Sequence, residues 1–211
     1  MQKSIGMFLL FCAVLFAQFD AKIYPITPQV QKRMTKGGSW HKGCPIALKD
    51  LRYIHLKYWD FDGQHRTGEL IVHQDVSKEV VKIFEALYHI KYPIRRMRLV
   101  SDYHANDWRS IEADNTSAFN CRTIGGTKRW SKHAYGRAID INPLENPYIS
   151  AKGHISHNAS LKYKKRIHQN KTPEDRALLL PSDPATKIFK RYGWQWGGDF
   201  VGEKDYQHFA K

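Results

Sequence analysis

The chain has 211 residues, a length that suits one domain with a sizeable core, and no motif repeats at a fixed period, which excludes a repeat array. It is strongly basic, because 34 lysines and arginines against 20 aspartates and glutamates give a formal net charge of +14. This charge favours an anionic partner but does not say which one.

The first residues have the pattern of a secretion signal. Lys3 supplies positive charge, and residues 5–17 form an apolar run that is shorter than the roughly 20 residues of a membrane span. We therefore predict a signal peptide over residues 1–21, with Ala17 or Ala21 before the cut. An uncleaved anchor stays open as the alternative, because neither alanine has a small residue three positions earlier.

Two of the three cysteines lie beyond the predicted signal. Cys12 follows the bulky Phe11 inside the apolar run, so we interpret it as an apolar residue and not as a lipid attachment site. Cys44 and Cys121 are the two cysteines that remain after export to an oxidising compartment, and an even number of cysteines there favours a disulfide. We therefore predict a disulfide between them, with two buried free thiols as the alternative. In the chain-entropy model such a bond stabilises the fold by about 4 kcal/mol.

Composition divides the rest of the chain. Residues 22–50 contain several prolines, glycines and basic residues with little apolar periodicity, so we predict an extended lead-in over residues 22–67. The main domain is predicted over residues 68–211. Within it, residues 144–183 lack periodicity and include a basic run at 162–166, which indicates a long surface insertion.

Strands outnumber helices in the predicted domain. One helix is predicted to begin after an N-cap at Asp75 or Ser77 and to end before Pro93, and a second runs from Pro184 through Tyr192. The predicted strands cover residues 69–73, 97–103, 117–122, 138–141 and 206–210. This order without regular alternation favours an α+β fold, with a small antiparallel sheet and helices packed to one side.

Two short segments far apart in the chain contain the residues of a metal site. The first reads SKHAYGRAID and holds His133 and Asp140, and the second reads DYQHF and holds Asp205 and His208. Catalytic zinc takes three protein ligands and leaves a fourth position for water. His133, Asp140 and His208 suit the three ligand positions, which leaves Asp205 for proton transfer. A lone buried histidine or aspartate is more often an ordinary hydrogen-bonded group, so the prediction depends on the two segments together.

The spacing of the ligands also predicts local structure. On one straight helix His133 and Asp140 would lie roughly 10 Å apart along the axis, too far to share one ion. A turn at Gly136 would place His133 on a loop and Asp140 on the following strand. Asp205 and His208 would point to opposite faces of a regular strand, so we expect Asp205 in a turn before the strand of His208.

The two segments resemble the Ser-x-His-x-x-Gly-x-Ala-x-Asp and acid-x-x-His signatures of the M15 metallopeptidases, which belong to the LAS superfamily. This family includes D-alanyl-D-alanine carboxypeptidases and the L-alanyl-D-glutamate peptidases of phage endolysins. The run WGGD at residues 196–199 is similar to a segment of the endolysin branch. The resemblance covers about residues 40–211, with specific motifs at 117–143 and 194–209. It implies a Hedgehog/D-Ala-D-Ala peptidase-like fold, one zinc ion and peptide hydrolysis.

The resemblance also implies roles for two charged residues. Asp205 would take the proton of metal-bound water and return it to the leaving amine, with an N-terminal turn cap as the alternative. Arg122 lies in a segment similar to the one whose arginine lines the family's site. It would neutralise charge on the tetrahedral intermediate, and an ordinary surface arginine is the alternative.

Four further residues beside the motifs have two readings each. Ser131 binds substrate or holds the ligand loop. Tyr135 and Trp196 form cleft walls or pack in the core. Asp199 orients a ligand histidine or is an ordinary turn residue.

These observations predict an exported zinc peptidase that cuts peptide stems of peptidoglycan, either by removing a terminal D-alanine or by cleaving an internal bond. A catalytically silent zinc-containing wall-binding module is the alternative, and the presence of Asp205 argues against it. We expect no nucleic-acid partner, because no helix-turn-helix or zinc-finger spacing is present. The mature chain is expected to be a periplasmic or secreted monomer without stable membrane insertion.

Overall fold

The computed structural model describes residues 18–169 and 172–211. Most of the predicted signal peptide, residues 1–17, lies outside these residues. Within them, no helix is both long enough and apolar enough to cross a membrane.

The N-terminal half is built on a three-stranded antiparallel sheet. Strands β1 (Ala21–Pro25), β2 (Leu51–Trp59) and β3 (His65–His73) pair in sequence order. Helix α1 (Pro28–Lys36) lies between β1 and β2 in the chain and is capped by the Thr27 hydroxyl, which accepts from the Val30 amide.

The prediction of an extended lead-in over residues 22–67 was wrong. This segment holds α1, all of β2, most of β1 and the start of β3, and Leu51, Ile54 and Leu56 are at most 1% exposed. The prediction took the prolines as signs of irregular structure. However, Pro25 is the last residue of β1 and Pro28 the first residue of α1, and proline is tolerated at both positions.

The faces of this sheet pack against different helices. Helix α2 (Gln74–His89) covers one face, where Ile54 and Leu56 join the main core, and α1 covers the other. The His73 imidazole caps α2 by accepting from the Asp75 amide, so the helix begins slightly before the predicted caps. Both faces of this sheet are therefore covered by a helix.

The middle of the chain contains less strand than predicted. Strands β4 (Arg96–Met97) and β5 (Asn115–Thr116) form a short parallel pair, with α3 (Asp107–Glu112) between them. The predicted strand over 97–103 stops at Met97, because residues 100–103 form a 3-10 turn. The predicted strand over 117–122 is reduced to one bridge between Ser117 and Asp140.

The C-terminal half carries the small sheets that position the candidate site. Its elements are β6 (Ala138–Asp140), β7 (Tyr148–Ile149), α4 (Pro173–Arg176), α5 (Pro184–Arg191), β8 (Gln195–Trp196), β9 (Lys204–Asp205) and β10 (His208–Ala210). Strand β10 lies between β6 and β8, and β7 pairs with β9, all antiparallel. The predicted helix from Pro184 and strand at 138–141 are confirmed, as is the α+β class.

One core joins the two halves of the chain. Phe84 of α2 contacts Phe189 of α5 with ring centroids 6.5 Å apart, and Phe189 stacks on Phe209 of β10 at 4.0 Å. The site-bearing strand is thereby fixed to α2 through an aromatic chain.

Residues 144–183 are irregular, as predicted, but they are not a simple surface insertion. The Arg166 guanidinium is buried, and it donates to the Asn146 side-chain oxygen at 2.7 Å and to the Leu179 carbonyl at 2.9 Å. Burial lowers the pKa of Arg166 to about 10. One of the predicted surface cations therefore anchors this segment to the domain.

Phe19 and Asp20, which precede β1, contact the rest of the domain. The ring of Phe19 lies 5.5 Å from that of Tyr88, and the Lys57 amide donates to the Asp20 carbonyl at 2.9 Å. Of the two candidate cleavage points, a cut after Ala17 keeps these contacts and a cut after Ala21 removes them.

Cys44 and Cys121 are bonded, as predicted, and link the segment before β2 to the segment before the first ligand histidine. We expect a Cys44→Ser/Cys121→Ser double variant to lose about 4 kcal/mol of unfolding free energy, because its unfolded state is no longer cross-linked. Urea denaturation measures the loss, and reduced wild type should match the variant. Equal stability of the oxidised wild type and the variant would contradict this account.

The carboxyl groups of Asp114 and Glu145 form a buried pair. Asp114 and Glu145 are each 4% exposed and interact electrostatically, and the Tyr163 hydroxyl donates to Glu145 at 3.3 Å. Burial, followed by the charge of Asp114, raises the pKa of Glu145 to about 9. The folded protein therefore holds Glu145 protonated at neutral pH.

This pair predicts a pH-dependent stability. Since the folded pKa of Glu145 lies above its ordinary value of 4.5, its contribution is complete below about pH 4.5 and is lost as the pH rises towards about 9. Glu145→Gln, which mimics the protonated acid, should flatten this loss by up to about 1.4 kcal/mol per pH unit. Thermal unfolding between these pH values tests it, with the exposed Glu85→Gln as control. Parallel pH profiles of wild type and Glu145→Gln would refute the assignment.

Candidate active site

The first ligand segment folds into a tight turn that precedes β6. The Ser131 hydroxyl accepts from the His133 amide at 3.2 Å and starts a 3-10 turn over residues 132–135. Gly136 ends this turn with φ +66°, and a Cβ there would meet the backbone nitrogen of His73 at 2.5 Å. The predicted reversal at Gly136 is therefore present, and Ser131 holds the ligand loop.

The second ligand segment places its histidine beside the first. In the pairing of β10 with β6, His208 lies directly opposite Asp140. Asp205 ends β9, and a two-residue turn then leads into His208. The prediction that Asp205 itself lies in a turn was wrong, because Asp205 pairs with Tyr148 in β9, but a turn does separate it from the strand of His208.

Three side chains form a compact triangle of donor atoms. The His133 Nε2 lies 3.2 Å from the Asp140 carboxylate and 3.2 Å from the His208 Nδ1, which lies 3.0 Å from the other Asp140 oxygen. A tetrahedral ion with bonds of about 2.1 Å has ligand atoms about 3.4 Å apart. The triangle therefore has the size of one face of such a site, and this donor set fits a metal ion.

Neighbouring groups orient the first histidine for this task. The His133 Nδ1 contacts the Ala118 carbonyl at 2.5 Å, so it carries the proton and leaves Nε2 with a free lone pair. A backbone acceptor behind a histidine is a common arrangement at metal centres.

The triangle concentrates negative charge on Asp140. Burial alone would disfavour the ionised carboxyl, but the charges and hydrogen bonds of His133 and His208 lower the pKa of Asp140 well below its ordinary range. Burial likewise opposes the charge of His208, whereas Asp140 raises its pKa. An anionic aspartate between two imidazoles is a suitable environment for a cation.

Asp205 is the second carboxylate of the site and has a different environment. Burial, together with the negative charge of Asp140, raises the pKa of Asp205 to about 6. The Gln207 amide donates to its carboxylate at 3.1 Å. Asp140 and Asp205 therefore have pKa values shifted in opposite directions, which is the pattern of a ligand beside an acid/base group.

The WGGD run fixes the position of Asp205. A Cβ on Gly197 would lie 2.8 Å from the Asp205 Cβ and closer still to its carbonyl oxygen. A Cβ on Gly198 would collide with the Trp196 ring. The two glycines thus allow the backbone of β9 and the indole of Trp196 to approach this segment.

The predicted catalytic and ligand residues line one cleft. Its volume is about 620 Å³, and its walls include the three triangle residues, Asp205, Arg122 and Ser131. The Arg122 guanidinium forms an ion pair with Asp107, which also accepts from the Asn120 amide at 2.8 Å. Arg122 is thus held at the cleft with about a third of its side chain exposed.

Three predicted site residues lie elsewhere. Trp196 is 1% exposed and donates to the Tyr206 carbonyl, so it is a core residue and not a cleft wall. The Asp199 carboxylate pairs with Lys190 at 2.6 Å and not with a ligand histidine. Tyr135 is partly exposed in a neighbouring groove.

Several cleft residues were not predicted from the sequence. Asp107 positions Arg122 from α3, and Tyr148 lies opposite Asp205 in the β7–β9 pair, where its hydroxyl donates to Glu203 at 2.9 Å. Asp107 belongs to no motif. Glu203 had a weak signal, an acid two residues before Asp205.

A family model described as D-alanyl-D-alanine carboxypeptidase, of the M15 peptidases, matches residues 125–211. No curated protein and no solved structure matches the chain. The matched residues contain the turn of His133, the strand of Asp140 and the segment of Asp205 and His208. The part of the chain that carries the donor triangle and its second carboxylate therefore matches the M15 peptidase family model, which supports membership of that family.

Proposed function

We propose that the protein is an exported zinc-dependent peptidase that hydrolyses the peptide stems of peptidoglycan, as a D-alanyl-D-alanine carboxypeptidase or as an L,D-endopeptidase. The observation that carries this proposal is the placement of Asp205, with its raised pKa, in the same cleft as the triangle of His133, Asp140 and His208. The family match of the same residues supports it.

His133, Asp140 and His208 would hold one zinc ion. When bound, zinc polarises the scissile carbonyl and acidifies a water molecule. Asp205 takes the proton of the attacking water and donates it to the departing amine, a role that its pKa near neutrality suits. Arg122, fixed by Asp107, supplies positive charge where the tetrahedral intermediate accumulates negative charge.

The basic charge and the predicted signal support a role in the bacterial wall, with the mature chain as a periplasmic or secreted monomer. Peptidoglycan stems, which carry carboxylates, are the proposed partner, and nucleic acid is not. A silent wall-binding module would not need a carboxylate with a raised pKa beside the metal site, so the intact Asp205 favours the enzyme.

Mass spectrometry of purified muropeptides tests the proposal. The zinc-loaded chain should release fragments that an Asp205→Asn variant does not release. Loss of one alanine mass identifies a carboxypeptidase, and separation of the stem at an internal bond identifies an endopeptidase. Unchanged muropeptides with zinc bound would overturn the enzyme and favour the binding module.

A further inference from the structure

A basic groove adjoins the catalytic cleft. It has a volume of about 520 Å³ and is lined by Ile124, Arg129, Trp130, Lys132, Tyr135 and Arg137. Ile124 and Lys132 also line the catalytic cleft, so the two spaces share part of one wall. No acidic residue is among the groove's lining residues.

A short hairpin separates the groove from the cleft. Residues Thr123 and Trp130 form an antiparallel bridge, the Ile124 amide donates to the Arg129 carbonyl at 2.8 Å, and the Ser131 amide donates to the Arg122 carbonyl at 3.0 Å. Arg122 lies at the cleft side of this hairpin, whereas Arg129 lines the groove. The hairpin thus ties the groove to the ligand turn.

Two of the three groove cations are uncompensated. Arg137 pairs with Asp75 at 2.6 Å. Arg129 and Lys132 form no ion pair with any residue that the structure describes. Both are exposed, so they keep their charge available to a ligand.

We propose that this groove is the subsite for a carboxylate of the peptide stem, bound by Arg129 and Lys132 beyond the scissile bond. The proposal rests on the proposed function and adds the two residues that would bind the carboxylate of the substrate. A guanidinium and an ammonium together match a carboxylate, which arginine can bind through two hydrogen bonds. Lys132 immediately precedes His133 and lines both the groove and the cleft, so a peptide bound at Lys132 lies beside the cleft of the metal triangle.

The test uses two stem peptides that differ only in one group, a free carboxylate or its amide. Wild type should show kcat/KM about tenfold higher on the carboxylate peptide, the size that two exposed charged contacts give together. The preference should weaken as salt is added. Arg129→Gln/Lys132→Gln should bring the ratio close to one.

A matched control removes the same two charges elsewhere. Lys187 and Arg191 are exposed on α5 and form no ion pair within the described part of the chain. Lys187→Gln/Arg191→Gln should keep the tenfold preference. A similar loss of preference in both double variants would overturn the proposal, because it would reflect net charge alone.

Two further outcomes distinguish this proposal from a failure of the proposed function and from a groove that binds phosphate. If wild type hydrolyses neither peptide, the proposed function fails. The groove is then tested by calorimetry, which measures the affinity of the zinc-loaded chain for each of the two peptides. Equal affinities would overturn the carboxylate subsite. If inorganic polyphosphate binds wild type but not Arg129→Gln/Lys132→Gln while the peptide ratio is unchanged, the groove binds wall phosphate, and the proposal is wrong.

Discussion

Replacement of His208 by alanine should abolish both zinc binding and hydrolysis. The His208 Nδ1 completes the donor triangle with His133 and Asp140, and two remaining donors do not hold zinc at a catalytic site. Zinc content should fall from one ion per chain to background, as measured by elemental analysis after dialysis. The kcat/KM on stem peptides should fall by about 10³-fold or more.

A histidine outside the cleft provides the control. His154 is exposed and belongs to no group of metal-binding side chains in the described residues. His154→Ala should keep one zinc ion and full activity. Retention of zinc by His208→Ala would show that the triangle is a hydrogen-bonded polar cluster and not a metal site.

Replacement of Asp205 by asparagine should separate metal binding from catalysis. The amide has nearly the same shape but cannot take a proton from water, so kcat should fall by about 10²- to 10⁴-fold while zinc content stays at one per chain. In wild type the base must be ionised, so activity should decline as the pH falls through the pKa of Asp205. That pKa is raised to about 6 by burial and by Asp140, and a bound cation moves the midpoint lower.

Asp199 supplies the matched aspartate. It is half-exposed and pairs with Lys190, so Asp199→Asn should leave kcat and its pH profile unchanged. An Asp205→Asn variant with wild-type kcat would remove Asp205 from the mechanism and leave the acid/base group unassigned.

The site was more predictable than the fold around it. His133, Asp140, Asp205 and His208 lie in two short segments whose spacing restricts the backbone locally. The turn at Gly136 followed from ligand geometry, and its φ of +66° agrees. Such signals need no knowledge of the rest of the chain.

Features set by distant contacts were not predictable. The Arg166 guanidinium is buried against Asn146 and Leu179, but in sequence it belongs to a basic run. Arg122 is fixed by Asp107, fifteen residues earlier and in another element. Asp199 lies in the WGGD run beside the site, yet its side chain pairs with Lys190 of α5. In each case a partner brought near by folding decides the role.

The most direct test of the account is a zinc titration of the metal-free chain with hydrolysis of a stem peptide as the readout. The account predicts that activity rises in proportion to added zinc and reaches its maximum at one equivalent, while Asp205→Asn binds the same equivalent without gaining activity. Full hydrolysis without metal, or zinc bound at one equivalent with no hydrolysis in wild type, would contradict it.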